Sequence, residues 1–243
     1  MNLVIVVPCF NEAERLPVAD FLNFVRQHPE VQLCFVNDGS KDNTLSLLNQ
    51  MMLEVPGQIC IKDLPMNQGK ANAVREGFLC SLKKVAFDRI AFLDADLSTP
   101  LEECWRLAQM ISEKKEFIFG SRIKKLDNTI DRKWHRFLIG RMVATVISKM
   151  LKIAVYDTQC GCKVFSTNAA TQAMQHTFIS KWLFDVEIFY RLKSYFGKEN
   201  LVQKSEEVPL NNWRDVGVSK VKWTYFFVIG LDLFFIYKKY RNT

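Results

Sequence analysis

Histidine is scarce in this chain. The three present, at positions 28, 135 and 176, all lie away from Cys160-Gly161-Cys162 in sequence, and no second closely spaced cysteine pair exists. That argues against a structural zinc site, which draws four ligands from such clusters. The seven cysteines, at 9, 34, 60, 80, 104, 160 and 162, are odd in number and mostly scattered through apolar runs. They argue against a disulfide scaffold and for a reducing compartment. A stretch of about 20 uncharged apolar residues is missing, so no conventional membrane span is expected. The first apolar run, Leu3–Pro8, lacks a basic flank and is too short for a signal peptide. G-x-G-x-x-G is absent. Gly69-Lys70 lacks the earlier glycine and the following Ser or Thr of a Walker A loop. No internal repeat or low-complexity linker interrupts the chain.

What is there is an ordinary globular mixture. The 243 residues are 49% hydrophobic and 24% charged, which excludes a disordered or collagen-like chain and suits one large domain. Lys and Arg number 33 against 26 Asp and Glu, a net charge of +7. Such a balance suits nucleic acid, an anionic membrane, a phosphorylated substrate, or no partner at all. For nucleic acid, net charge is the sole support, since no aromatic–basic RNA-binding signature is visible; no nucleic-acid partner is expected.

Through residue 120 one phrase repeats: a short apolar run, a polar turn, a helical pattern. Strands are expected at Leu3–Val7, Leu33–Val36, Ile59–Ile61, Ile90–Leu93 and Phe117–Phe119, without polar alternation, as in strands buried on both faces. Asn11 is placed to cap a helix that tolerates Pro17 early in its course. Further helices are expected after Ser40, over Ala71–Leu82 and over Leu101–Ile111. After Arg122 a basic stretch precedes a helical run from Phe137 to Met150. Then come a loop or short strand at Tyr156–Phe165, a helix over Trp182–Phe196 and a strand over Val202–Leu210. Alternating β and α elements predict an α/β fold with a mainly parallel, doubly wound sheet.

Ligands bind such sheets at the carboxyl ends of the strands. Pro8–Glu12, Asn37–Ser40 and Asp94–Asp96 all occupy such ends. Asp94 and Asp96, one residue apart, suit a hard divalent cation, although helix-capping aspartates are the simpler reading of the pair alone. Gly69-Lys70 opens a helix where small residues let backbone approach a phosphate and the lysine neutralises it.

The ordered set Val7-Pro8-Cys9-Phe10-Asn11-Glu12, Asn37-Asp38-Gly39-Ser40-Lys41-Asp42, Asn67-Gln68-Gly69-Lys70 and Asp94-Ala95-Asp96 resembles family 2 glycosyltransferases of the GT-A fold. Asp157–Phe165, with Cys160-Gly161-Cys162-Lys163 at its centre, and Trp182–Glu187 resemble the dolichyl-phosphate β-glucosyltransferase and polyprenyl-phosphate glycosyltransferase branch. The resemblance covers roughly residues 3–220. It implies a GT-A, Rossmann-like mixed sheet with helices on both faces over 1–220, and a C-terminal interfacial helical segment over 221–243.

The resemblance also implies roles. Pro8, Phe10, Asn11 and Glu12 would line the nucleobase and ribose pocket, with Asp38 at the base edge. Lys70, Asp94 and Ala95 would hold the sugar-nucleotide, and Asp94 and Asp96 would bind Mg²⁺ or Mn²⁺. Ser98 stands where related mannosyltransferases have a metal-supporting Gln. Asp96, Arg122, Asp157 and Asp185 are the expected catalytic positions, and Arg122, Arg132, Arg136 and Arg141 the expected acceptor-phosphate site, since Arg binds phosphate bidentately. The reaction implied is single-displacement, inverting transfer of a hexose, with UDP-glucose the favoured donor, to a polyprenyl or dolichyl phosphate. GDP-mannose or another nucleotide sugar, a non-lipid glycan acceptor, and a non-catalytic nucleotide-sugar or lipid-binding module remain alternatives. Lys220 resembles a branch-specific terminal lysine.

Trp223–Tyr237, followed by Lys238-Lys239-Tyr240-Arg241, suits an interfacial helix, with Asp232 arguing against a span. The competing readings are a helix docked on the core and a homo-oligomer surface. The expected location is cytoplasmic, peripherally on the cytoplasmic face of a membrane.

Overall fold

A computed structural model describes residues 1–84, 87–131, 134–216 and 225–241. Residues 84, 134–136, 138, 139 and 225–227 are described in backbone only. The first unit is β1 (Leu3–Cys9), α1 (Val18–Gln27), β2 (Val31–Asp38), α2 (Thr44–Glu54), β3 (Ile59–Leu64), α3 (Lys70–Lys84) and β4 (Arg89–Leu93). The second runs through α4 (Leu101–Gln109), β5 (Phe117–Ser121), β6 (Thr129–Asp131), α5 (Trp134–Leu151), β7 (Cys162–Ser166) and α6 (Thr167–Met174). The chain then forms α7 (Phe184–Phe196), α8 (Lys198–Lys204), β8 (Ser205–Pro209), β9 (Asn212–Arg214) and α9 (Tyr225–Tyr240).

Seven strands form one sheet in the order β3-β2-β1-β4-β7-β5-β8, and β6 pairs with β9 in a small second sheet. β1 pairs in parallel with β2 on one side and β4 on the other, so the connection reverses direction across β1. That reversal opens a crevice at the carboxyl ends of these strands. β7 is antiparallel to both β4 and β5, which makes the sheet mixed, as the resemblance implied.

The apolar runs split by alternation. Leu3, Ile5 and Val7 enter the core layer shared with α1, α2 and α4, whereas Val4 and Val6 enter the layer shared with α3, α6 and α7. Strands covered on both faces need no polar residue at every second position, which is why they read as unbroken Val/Ile runs. Each fully buried side chain of this size contributes about 1.5–3 kcal/mol.

Three expectations are corrected. Asn11 caps no helix: it has φ +52° and bonds the next loop, and α1 begins at Val18 with Pro17 as its N-cap. Residues 202–204 end helix α8, so the late strand is confined to Ser205–Pro209. Helix α7 starts at Phe184, because Trp182 and Leu183 donate their backbone N–H groups to the Ser180 hydroxyl just ahead of it.

Candidate active site

The loops after β1 and β2 are stitched together by backbone donors. Asn11 N–H donates to Ser40 Oγ at 3.0 Å, Lys41 N–H to Asn11 Oδ1 at 2.9 Å, and Glu12 N–H to Thr44 Oγ1 at 2.8 Å. Asn tolerates the left-handed conformation this turn requires. Glu12 is buried and ion-paired with Arg15, and its hydrogen bond raises the Arg15 pKa against the smaller opposing effect of burial. Pro8 lies within β1, opposite Val36.

Asp38 shapes a neighbouring loop. Its carboxylate accepts from Gln68 N–H at 2.7 Å, Gly69 N–H at 2.8 Å and Asn67 Nδ2 at 3.0 Å. Gly39 has φ +63° and no room for a Cβ against the Met66–Asn67 backbone, so only glycine lets the two loops touch. Between them lies a cavity of about 520 Å³ lined by Phe10, Asn37, Lys41, Asp63, Met66 and Asn67. Asn37 Nδ2 donates to Asp63 Oδ1 at 2.7 Å, leaving an acidic acceptor on the wall beside an aromatic ring. Asn11 lines an adjoining cavity of about 390 Å³ with Glu14, Arg15, Lys41 and Asp42.

A row of alternating charge runs across the crevice. Lys70, the first residue of α3, is ion-paired with Asp94 at the end of β4. Burial disfavours the ammonium, yet Asp94, Asp185 and Asp96 together raise its pKa above the ordinary lysine value. Ala95, between the two aspartates, is buried. Asp96 Oδ1 accepts from Ser98 N–H at 2.9 Å; burial and the neighbouring Asp94 charge push its pKa up. Asp185, in the first turn of α7, pairs at 2.6 Å with Lys163, whose side chain is fully buried and also donates to Cys160 O at 2.7 Å. Burial raises the Asp185 pKa, with Lys163 and Lys70 opposing.

Asp94 and Asp96 fit a divalent ion. Both are hard oxygen donors, one is already satisfied by a cation, and the proximity of the two charges is unfavourable without one. No cluster of three or more acidic, Cys or His ligands occurs among the described residues. An ion there would complete its shell from diphosphate oxygens and water, as Mg²⁺ commonly does.

Arg122 follows β5 and meets Asp157 in a two-pronged pair, Nε to Oδ2 at 2.7 Å and Nη2 to Oδ1 at 2.8 Å. Burial works against the guanidinium, but Asp157 more than offsets it, and the Asp94 charge adds to the effect. Glu207 of β8 accepts from the backbone N–H groups of Tyr156 and Asp157, at 2.8 and 2.7 Å, and so fixes the turn that carries Asp157. Trp213 of β9 lies 5.4 Å from the Arg122 guanidinium. Arg141 donates to Tyr156 O at 2.7 Å and stacks on its ring at 3.6 Å, so it braces the same turn. Arg132 lies outside the described residues, as do the side chain of Arg136 and Lys220. The Cys160 thiol is pushed up to about 12 by burial and by Asp157, which keeps it protonated.

The structure thus brings Lys70, Asp94, Asp96, Arg122, Asp157 and Asp185 to one crevice. Phe10 and Asn11 each line one of the two cavities formed by the loops after β1, β2 and β3. Sequence reasoning passed over Lys163, Glu207, Ser180 and Gly161 as participants. Gly161 and Lys163 sat inside a quoted motif, whereas Glu207 carried no local signal.

A mixed, mainly parallel sheet with a switch point, cavities beside it and paired aspartates next to a lysine are the features of a nucleotide-sugar transferase of the GT-A class. Glycosyl transferase family 2 matches residues 4–172, and the chain belongs to that family. It is 29% identical over 238 residues to a dolichyl-phosphate β-glucosyltransferase of Dictyostelium discoideum, covering 90% of this chain and 68% of that protein. It is 26% identical over 261 residues to the Homo sapiens protein of the same name, covering 98% and 76%. Among solved structures, it superposes with a TM-score of 0.70 on glucosyl-3-phosphoglycerate synthase of Mycobacterium tuberculosis in complex with Mn²⁺, UDP and phosphoglyceric acid. That match has 12% identity and covers 97% of this chain and 78% of that one. Mannosyl-3-phosphoglycerate synthase of Rubrobacter xylanophilus also gives 0.70, at 12% identity, over 98% and 73%. These two establish the GT-A fold.

Proposed function

We propose that this glycosyltransferase moves glucose from UDP-glucose to dolichyl phosphate or a related polyprenyl phosphate at a membrane surface, with inversion at the anomeric carbon. The observation that carries this is the Lys70–Asp94–Asp96 cluster facing the Arg122–Asp157 pair across one crevice. The names of the relatives supply the lipid acceptor and the sugar.

The uracil sits in the cavity beside Phe10, where Asp63 and the Asp38-held loop offer acceptors. Lys70 meets the diphosphate, Asp94 and Asp96 would hold Mg²⁺ or Mn²⁺, and Asp185 holds Lys163 in place and adds its charge near Lys70. When bound, the ion would supply neutralisation of charge on the leaving diphosphate. An oxygen of the acceptor phosphate forms the new bond to the anomeric carbon as the bond to the UDP β-phosphate oxygen breaks, and that oxygen keeps the electron pair. The acceptor oxygen is already anionic near neutral pH, so no strong general base is required. Arg122 lies where the second anion arrives, oriented by Asp157.

Membrane attachment is peripheral in this reading: no helix of the described residues is long and apolar enough to cross a bilayer. The test is a panel of UDP- and GDP-sugars against one polyprenyl phosphate, scored for nucleotide release. UDP-glucose is expected to lead. Turnover confined to GDP-mannose would overturn the donor, and turnover confined to soluble acceptors would overturn the lipid.

A further inference from the structure

Helix α9 has two faces. Ile229, Leu233, Ile236 and Tyr240, at helical spacing, pack into the core layer against α7. The opposite face presents Val228, Leu231, Phe234 and Phe235 to solvent, the two central ones each 59% exposed. Exposed Lys238, Lys239 and Arg241 follow at its end.

That end is joined to two other helices. Tyr190 of α7 donates its hydroxyl to Met150 O of α5 and stacks on Tyr240 of α9 at 5.4 Å. Lys193 lies 5.8 Å from the Tyr190 ring, close enough to Lys152 and Lys198 for their charges to depress it after burial does. An apolar stripe ending in a lysine-rich rim matches the charge and depth profile of an anionic lipid interface.

The inner face of α9 holds more than apolar contacts. Ser180 donates its hydroxyl to Asp232 Oδ2 at 2.5 Å while accepting the N–H groups of Trp182 and Leu183. Glu187 accepts from Ile179 N–H at 2.8 Å and from the Tyr240 hydroxyl at 3.4 Å. One residue beyond Ser180, Lys181 O accepts from Ala71 N–H at 3.3 Å, and the Lys181 side chain packs against Gly69, beside Lys70. Four residues further on is Asp185.

We propose that the 179–183 segment couples α9 to the active site: seating of α9 on an anionic lipid surface orders this segment through the Asp232–Ser180 bond, and the segment in turn sets Lys70 and Asp185. Asp232 is therefore a positioning residue. The lipid partner rests on the membrane-surface reading above, but the coupling is testable without sugar transfer.

The experiment uses the full chain with vesicles of phosphatidylcholine, with and without phosphatidylglycerol, read by co-sedimentation and by hydrogen exchange of peptides over 179–187. The wild type is expected to bind the anionic vesicles preferentially and to slow exchange at 179–183 by about tenfold on binding. Phe234→Glu, on the outward face, is expected to lose both. Asp232→Ala is expected to keep binding and lose the slowing. Asp232→Asn, whose amide oxygen accepts the same bond, is expected to retain it. The proposal is overturned by wild-type protein that ignores anionic vesicles, by binding without slowing, or by slowing in Asp232→Ala equal to wild type. If Asp232→Ala does not fold by circular dichroism, the wild type and Phe234→Glu decide. A protein that couples in this way yet releases no UDP from UDP-glucose contradicts the transferase reading alone.

Discussion

Gly161 stands so close to Asp94 that a Cβ on the glycine would overlap the aspartate carboxylate. The turn before β7 therefore fixes the Asp94 side chain on the side of Lys70. Gly161→Ala is expected to displace the carboxylate and lower kcat by about 100-fold, the usual result of an ångström-scale misplacement. Stability is expected to fall by about 1–3 kcal/mol from overpacking. Steady-state kinetics and a urea titration on the same protein check both, and unchanged kcat would show that Asp94 does not need this wall.

Arg122 and Asp157 act as a unit in this account. Arg122→Lys keeps the charge but cannot form the two-pronged pair, so activity is expected to drop nearly as far as in Arg122→Ala. The double variant Arg122→Ala/Asp157→Asn is expected to be little worse than either single one, a coupling of about 0.5–3 kcal/mol in a double-mutant cycle. Additive losses would separate the two roles. Glu207→Gln, which weakens the grip on the 156–157 turn, is expected to give a milder loss of the same kind.

Lys163 and Asp185 form a buried pair, so removing one partner strands the other charge. Lys163→Met is expected to destabilise the protein by about 3–5 kcal/mol, and adding Asp185→Leu is expected to recover most of that stability without activity. Chemical denaturation with an activity assay separates the two effects.

Glu116, at the foot of β5, is held below the ordinary glutamate range: burial opposes ionisation, but Lys204, Asn168 and Ser166 outweigh it. A lowered carboxyl pKa contributes stability that is fully present above the unfolded value and lost as pH falls through the folded one. Wild-type stability is therefore expected to fall off below about pH 4.3, the usual glutamate value. Glu116→Gln is expected to start lower and to decline less steeply over that range. Urea midpoints from acid to neutral pH give the comparison, and parallel curves would contradict it.

Much of the sheet was legible because both-face burial writes itself into runs such as Leu3–Val7 and Ile90–Leu93. The antiparallel insertion of β7 was not, since neither its length nor its composition encodes direction. Asn11 misled because the residue types that cap helices also suit left-handed turns, and only the partner loop, with Ser40 and Lys41, decides between them. The Asp94–Asp96 pair was readable from its place at a strand end. Glu207, fifty residues from the turn it holds, and Ser180, bonded to a helix more than fifty residues later, become visible only when the chain is folded. The apolar C-terminal segment read as interfacial with a docked helix as the competing reading, and α9 shows why both arise: one face packs on the core while the other remains exposed.

The most direct measurement of the central claim is UDP release from UDP-glucose with dolichyl phosphate as acceptor, run with added Mg²⁺ or Mn²⁺, with chelator, and with Asp96→Asn. Release is expected to require both the acceptor and the divalent ion, and to fall by at least about 100-fold in the variant. Release that persists in chelator, or full activity in Asp96→Asn, would contradict it.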